Sequence, residues 1–288
     1  MENEQEPETV KPGTLHPFIV WVFRWLLGPL LQLAFRPRLR GLEKLPQGKP
    51  YLLVANHSAG VAIAEILCFA MLYAGHFKNQ VPLAGYAHHV VMKVWPFSWI
   101  MPALGAIPST YEAAEKTLAA GIPILMFPGG EHESLRPIWK ANEVDFNGRL
   151  GYLRIARKRG IPIVPMGITG SHYTAPIFWR SKLLATLLLI PKRLGFKRWC
   201  ISLSGILGIV GILQLDWPLW AHLVGSYVWL LSIFQFTPII PATLRFEIGE
   251  ILEWGQELDG ENLEETGLRV QAAVQARVNE MNRPNEQL

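Results

Sequence analysis

The chain has 288 residues, half of them hydrophobic and only 17% charged, against roughly a quarter charged in an ordinary soluble domain. Its net charge of +4, from 27 basic and 23 acidic residues, is modest but unevenly placed. Basic stretches beside apolar runs suit an anionic membrane surface and exclude a nucleic-acid groove as the expected partner.

Cys68 and Cys200 both lie in apolar runs, so no disulfide framework is expected, only buried thiols in a reducing compartment. Residues 1–14 form an acidic tail unlike a cleaved signal peptide. Residues 15–36 are apolar and Trp-rich, close to the roughly 20 residues that cross a bilayer. Arg24 and Gly28-Pro29 interrupt them, and a mid-segment Arg is costly in hydrocarbon. An in-plane anchor helix is therefore expected rather than a full span. Arg36, Arg38 and Arg40 follow at once, which places the next segment on the cytoplasmic face.

An α/β rhythm comes next. The wholly apolar run 51–55 reads as a buried strand, ended by Asn56-His57-Ser58 and followed by a helix over 59–73. A strand is expected at 81–85, and an apolar, helical or membrane-facing stretch at 90–101. Residues 111–120 read as an amphipathic helix capped by Ser109 or Thr110 and closed by Gly121. Strands at 122–127 and 161–166 bracket a basic helix at 149–159. From 183 the pattern turns apolar, over 183–190, 199–215 and 217–234, broken at Asp216-Trp217-Pro218. A helical hairpin dipping into or across a membrane fits, with buried core helices as the alternative. A strand at 243–248 and a helix at 263–281 close the chain. The expected fold is α/β, a mainly parallel sheet flanked by helices, with an N-terminal apolar anchor helix and a C-terminal apolar helical insertion at 183–235.

Two segments carry chemistry. His57 follows a buried strand, which puts its imidazole at the carboxyl end of the sheet, where open α/β sheets hold ligands. A neutral imidazole there takes a proton from an alcohol as the alcohol attacks a thioester; a capping or core His is the plainer reading. Phe127-Pro128-Gly129-Gly130-Glu131-His132-Glu133-Ser134 also follows a strand, and its paired glycines allow a tight turn with N–H groups free for an anion. An ordinary strand-to-loop turn would look the same. His88-His89 has no acid at metal-ligand spacing, and Gly170-Ser171-His172-Tyr173 follows a strand as a loop that would line the acceptor pocket, a plain loop being the simpler reading. Neither a P-loop nor a dinucleotide glycine pattern is present.

Taken in order, these segments resemble the PlsC-type lysophospholipid and monoacylglycerol acyltransferases. The resemblance rests on Gly41-Leu42-Glu43-Lys44-Leu45-Pro46, Pro50 to Ser58, Leu104-Gly105-Ala106-Ile107-Pro108, Phe127-Pro128-Gly129-Gly130 with Glu133, Gly160-Ile161-Pro162-Ile163-Val164-Pro165 and Leu244-Arg245-Phe246-Glu247-Ile248-Gly249. Pro-Gly-Gly in place of Pro-Glu-Gly is similar to the mono- and diacylglycerol branch. The resemblance implies an acyltransferase domain over 37–288 at a membrane, transferring an acyl chain to a lipid hydroxyl. It implies His57 as general base and a substrate-binding set of Asn56, Ser58, Gly129, Gly130, Glu131, His132 and Glu133. It further implies membrane lipids as partners and an acyl-CoA or acyl-carrier-protein thioester as donor, with no other cofactor and no metal.

One position departs from the family pattern of His, four residues, then Asp. Ala62 stands where the Asp belongs, and none of the three Asp lies five residues after any His. Losing such an orienting carboxylate costs on the order of 10⁴ in rate in a serine protease. Another acid would have to serve, or a backbone carbonyl would fix the tautomer. Otherwise the chain is a lipid-binding scaffold that keeps the fold without the chemistry. Glu65 is the nearest acid. On a continuous helix its eight-residue separation spans about 12 Å, so it reaches His57 only if His57 lies on a loop that folds back. Glu131 and Glu133 would approach from the second segment. His132 stands where relatives carry Arg, which favours an uncharged acceptor.

Overall fold

The computed structural model describes residues 12–58, 64–88, 91–93, 95–256, 258 and 262–283. Ala62, His89 and most of the acidic tail lie outside them. Among the described residues nine strands form two sheets: β1 (Arg38–Arg40), β2 (Leu52–Ala55), β3 (Ala84–Ala87), β4 (Ala106–Pro108), β5 (Ile124–Met126), β6 (Ile163–Thr169), β7 (Ile177–Ser181), β8 (Trp199–Ser202) and β9 (Arg245–Ile248). Seven make one sheet in the order β1-β9-β6-β2-β5-β3-β4. From β6 to β4 all neighbours are parallel, and β9 runs antiparallel to β6. The mainly parallel α/β expectation holds.

The central strands are apolar at every position because helices cover both faces. Leu52 of β2 is level with Ile124 on one side and Ile163 on the other. Leu52 and Val54 point to one face, joining Ile124, Met126 and Ile163 in a core with Ala114 and Leu118 of α3 (Tyr111–Ala119), Leu153 and Ile155 of α5 (Gly151–Arg159) and Val270, Val274 and Val278 of α8 (Leu263–Met281). Leu53 and Ala55 point to the other, packing with Cys68, Phe69 and Tyr73 of α2 (Ala64–His76) and with Phe23, Leu31 and Phe35 of α1 (Pro17–Phe35). The period-two alternation of a strand thus divides one buried run between two cores. α8 lies close on β6 at Gly167, where a Cβ would sit 2.7 Å from the Cβ of Arg277.

α1 is the one described helix long and apolar enough to cross a membrane. Only one stripe of it is buried. Phe18, Trp21, Trp25, Leu26, Leu30 and Leu33 are exposed, and Arg24 stacks on the ring of Trp25. Pro29 brings no N–H to the helical ladder, and the preceding turn, Phe23–Leu27, widens to π-helix with Gly28 N–H donating to Phe23 O.

Elsewhere the structure corrects the expected boundaries. The strand expected at 81–85 begins at Ala84, and 90–101 divides into a 3₁₀ turn at Val91–Lys93 and a helix at Phe97–Ala103. The apolar run from 199 opens as β8, paired antiparallel with β7, before the hairpin of α6 (Leu203–Leu213) and α7 (Leu219–Leu231). β1, β4 and β7 carry no sequence signal of the strand type.

Candidate active site

Three adjacent parallel strands, β6, β2 and β5, release their loops at the same carboxyl edge. The second residue past β2 is His57, the second past β6 is Ser171, and β5 leads into Phe127-Pro128-Gly129-Gly130. Asn56 extends the β2–β6 pairing with its side chain. Its Nδ2 donates to Ile168 O at 2.9 Å, and its Oδ1 accepts from Ile168 N at 2.8 Å. That amide is buried and committed to the scaffold.

Residues 56–58 are neither strand nor helix, and α2 is described from Ala64 on. The chain folds back, so Glu65, in the first turn of α2, meets His57: its Oε1 pairs with His57 Nδ1. The same Oε1 accepts Ser58 N–H at 3.1 Å, and Oε2 accepts the Ser58 hydroxyl at 2.7 Å. The Ser58 hydroxyl is in turn bonded to the Ser171 hydroxyl. Glu65, Ser58 and Ser171 are all fully buried, so this carboxylate is desolvated but is compensated by His57 and by the Ser58 amide and hydroxyl. A carboxylate only accepts, so Nδ1 carries the proton and Nε2 is left as the basic nitrogen. Burial works against the charged forms. The ion pair and its hydrogen bonds prevail, raising the His57 pKa above its ordinary value and lowering that of Glu65. The ring of His57 lies against Phe127, 4.7 Å between centroids.

The Pro-Gly-Gly turn, which leads into the short α4 (Glu131–Ser134), is shaped by what its neighbours occupy. A Cβ on Gly129 would fall 2.2 Å from the Glu133 side chain. Gly130 has φ +45° and faces Arg149, whose Nη1 donates to Pro128 O at 3.2 Å. Glu133, fully buried, ties three segments together. It accepts His57 N–H at 3.1 Å, Asp145 N–H at 2.9 Å and Arg136 Nη2 at 3.3 Å. Burial pushes its carboxyl up to about 7 against the pull of those partners. Glu131 accepts Lys197 N–H and Arg198 N–H, each at 3.0 Å, and so anchors β8 to the turn. His132 Nε2 pairs with Asp145 at 2.6 Å, while its Nδ1 lies 3.3 Å from Arg198 Nη1 and its carbonyl accepts from Arg180. The cation missing from this loop in sequence is brought beside it in space by β7 and β8.

The structure thus brings His57, Ser58 and Glu65 together directly, with Glu133 behind the His57 backbone. Asn56, Gly129, Gly130 and Glu131 serve the scaffold that holds them. Ser171 joins the site from the Gly170–Tyr173 loop, and Arg136, Arg180 and Arg198 join it without a motif of their own. His172 beside Ser171 is buried, its Nε2 has no hydrogen-bond partner among the described residues, and burial pushes it down to about 3, so it stays neutral. Among the described residues no group of three His, Cys, Asp or Glu side chains is placed to hold a metal.

Residues 36–169, which hold His57, Glu65 and the Pro-Gly-Gly turn, match the family model described as Acyltransferase. The likeness to that family is confined to this part of the chain. Phytyl ester synthase 2, chloroplastic, of Arabidopsis thaliana is 27% identical over 139 residues, 46% of this chain and 19% of the plant protein. An uncharacterized protein of Mycobacterium leprae is 27% identical over 178 residues, 62% of this chain and 46% of its own length. The chain therefore spans less than half the length of these curated relatives. The 1-acyl-sn-glycerophosphate acyltransferase PlsC of Thermotoga maritima superposes with a TM-score of 0.52 over 92% of this chain and 81% of that one, at 16% identity. At that identity the likeness is one of fold.

Proposed function

We propose that this acyltransferase domain transfers a fatty acyl chain from a thioester of CoA or acyl carrier protein to a lipid hydroxyl at the cytoplasmic face of a membrane. The observation that carries the reading is the His57–Glu65 pair: an imidazole with its Nδ1 proton held by a buried carboxylate, at the carboxyl edge of a parallel sheet. His57 Nε2 takes the proton of the acceptor hydroxyl as its oxygen bonds to the thioester carbonyl carbon. Glu65 steadies the imidazolium, the C–S bond breaks, and the proton passes to the leaving thiolate. The donor thioester is the only further reagent this chemistry needs. The scaffold reading drew its support from Ala62, and a carboxylate from Glu65 removes that support.

The acceptor's headgroup is set around His132. Its neutral imidazole favours an uncharged alcohol, as does a relative named for phytyl esters, whereas Arg180 and Arg198 favour a phosphorylated one. The test is transfer of labelled acyl chains from each donor into lysophosphatidate, mono- and diacylglycerol and an isoprenoid alcohol. The unaltered protein should acylate at least one of them, and His57→Ala should slow it by about 10²–10⁴-fold. Transfer undiminished by His57→Ala, or no transfer to any acceptor, refutes the proposal.

A further inference from the structure

The most exposed apolar part of the molecule lies outside the segment matched to the family. We infer that residues 182–231 form a second lipid-docking surface, which lies in the headgroup region of an anionic bilayer leaflet without crossing it. The inference does not rest on the chemistry at His57.

α7 buries none of its thirteen residues. Leu219, Trp220, Leu223, Val224 and Val228 are 54–74% exposed, and Leu207, Val210 and Leu213 of α6 add to the same apolar surface. Between 203 and 244 the only Asp, Glu, Lys or Arg is Asp216. A contiguous apolar surface of this kind marks an interaction site. The hairpin is also a fixed unit. Gly208 lets the Trp229 ring lie where a Cβ would be 2.0 Å away, and Trp229 Nε1 donates to Ser204 O at 3.2 Å.

The neighbouring charges identify the occupant. Lys182, Lys192, Arg193 and Lys197 are exposed, interleaved with exposed Leu183, Leu187, Leu189, Ile190 and Leu194, and no acid occurs from 182 to 215. Long basic side chains that run along apolar surface and end at headgroup level are what an anionic leaflet attracts. A second copy of the chain would set the same cations against one another across a twofold interface.

The pose follows from length and from Asp216. At 11 and 13 residues, α6 and α7 are about 16 and 20 Å long, short of the roughly 30 Å hydrocarbon layer. Standing upright, the hairpin would carry the Asp216 carboxylate near the midplane, where charge is costly. Lying flat, it keeps Asp216 and the four cations at one level. The surface is tied to the site through Arg180 of β7, which donates to the His132 carbonyl, and through Lys197 and Arg198, just before β8, which donate to Glu131.

Cys68 and Cys200 are buried, so a cysteine placed on the hairpin takes a polarity-sensitive thiol dye selectively. The full chain labelled at Leu223→Cys, Leu219→Cys or Asp216→Cys is mixed with phosphatidylcholine vesicles, with or without phosphatidylglycerol. The inference predicts that all three dyes enter an apolar environment and are quenched by shallow, not deep, acyl-chain quenchers. Lys192→Gln and Lys197→Gln should each weaken partitioning to the anionic vesicles about fivefold. Dyes that stay in water while the protein is bound would mean that α1 docks alone. An Asp216→Cys dye reached from the far leaflet would mean a span. Leu223→Cys shielded without vesicles, with a doubled mass, would mean a second copy covers the face. Equal binding to neutral vesicles would remove the role of the cations. Each of these four results overturns the inference. A protein that docks as described but transfers no acyl chain leaves it standing and refutes only the proposed function.

Discussion

Moving a carboxylate from the fifth position after His57 to the eighth changes what must hold it. Glu65 is held by the Ser58 amide and hydroxyl, with Ser171 behind, 113 residues away in sequence. Glu65→Gln keeps the side chain's size but cannot stabilise an imidazolium, and we expect kcat to fall by up to about 10⁴-fold. Adding Ala62→Asp to that variant returns a carboxylate to the family position and should recover part of the rate; a double variant as slow as the single one would show that Glu65 acts otherwise. The pH profile gives a second measure. A general base works only when neutral, and the His57 pKa is raised, because the carboxylate outweighs the opposing effect of burial. The acid limb of kcat/KM should therefore lie above the ordinary value near 6.5. With Glu65→Gln, burial acts unopposed by this carboxylate and the limb should move to lower pH; an unmoved limb would remove Glu65 from the catalytic unit. Both residues were legible in sequence, a His past an apolar strand and an acid in an apolar helix. Their contact was not, because a helical repeat puts eight residues about 12 Å apart and nothing in Asn56-His57-Ser58 announces the fold-back. Ser171 was legible only as part of a loop.

Whether an element could be read from sequence depended on whether burial or pairing creates it. β2, β5 and β6 are buried on both faces, so their residues had to be apolar and the runs stood out. β1, Arg38–Arg40, and β4, Ala106–Pro108, lie at the edges of the sheet, three residues each. What makes them strands is register with β9 and β3, which leaves no mark on composition. The same holds for β8, whose apolar residues look like the helix that follows. One contact between elements is steep enough to measure. α8 approaches β6 so closely at Gly167 that an added Cβ would meet Arg277 Cβ at 2.7 Å and Val278 N at 2.9 Å. These are atoms fixed in the helix, so relief requires α8 to shift. Gly167→Ala should cost about 1–3 kcal/mol, the usual range for overpacking, read as a lower midpoint in denaturant unfolding. An unchanged midpoint would mean that α8 is free to slide on the sheet. His57 is held by β2, β5 and α2 rather than by α8, so activity per folded molecule should stay near that of the unaltered protein.

Across the whole molecule, the excess of hydrophobic residues over an ordinary soluble domain is carried partly on the outside. α1 joins the core beneath α2, and the hairpin joins a smaller core of Leu135, Ile177, Trp199 and Phe236 beside the Pro-Gly-Gly turn. Each leaves an apolar face exposed, and the candidate site is attached to both through α2 and through β7 and β8. Substrates that reside in a bilayer would then be met where they lie, with recognition of the surface separate from the chemistry. That separation can be measured. Leu219 and Leu223 are exposed, so exchanging both for Glu should leave the free energy of unfolding within about 0.5 kcal/mol of the unaltered protein. Transfer to acceptors embedded in anionic vesicles should fall at least tenfold, mainly through the apparent KM for vesicle lipid, because two carboxylates replace apolar area and oppose the anionic surface. Transfer to a short-chain acceptor dissolved in water should keep its kcat, since neither residue touches His57 or its partners. If both assays fall together, the hairpin supports the active site itself; if neither falls, lipid reaches the site without it.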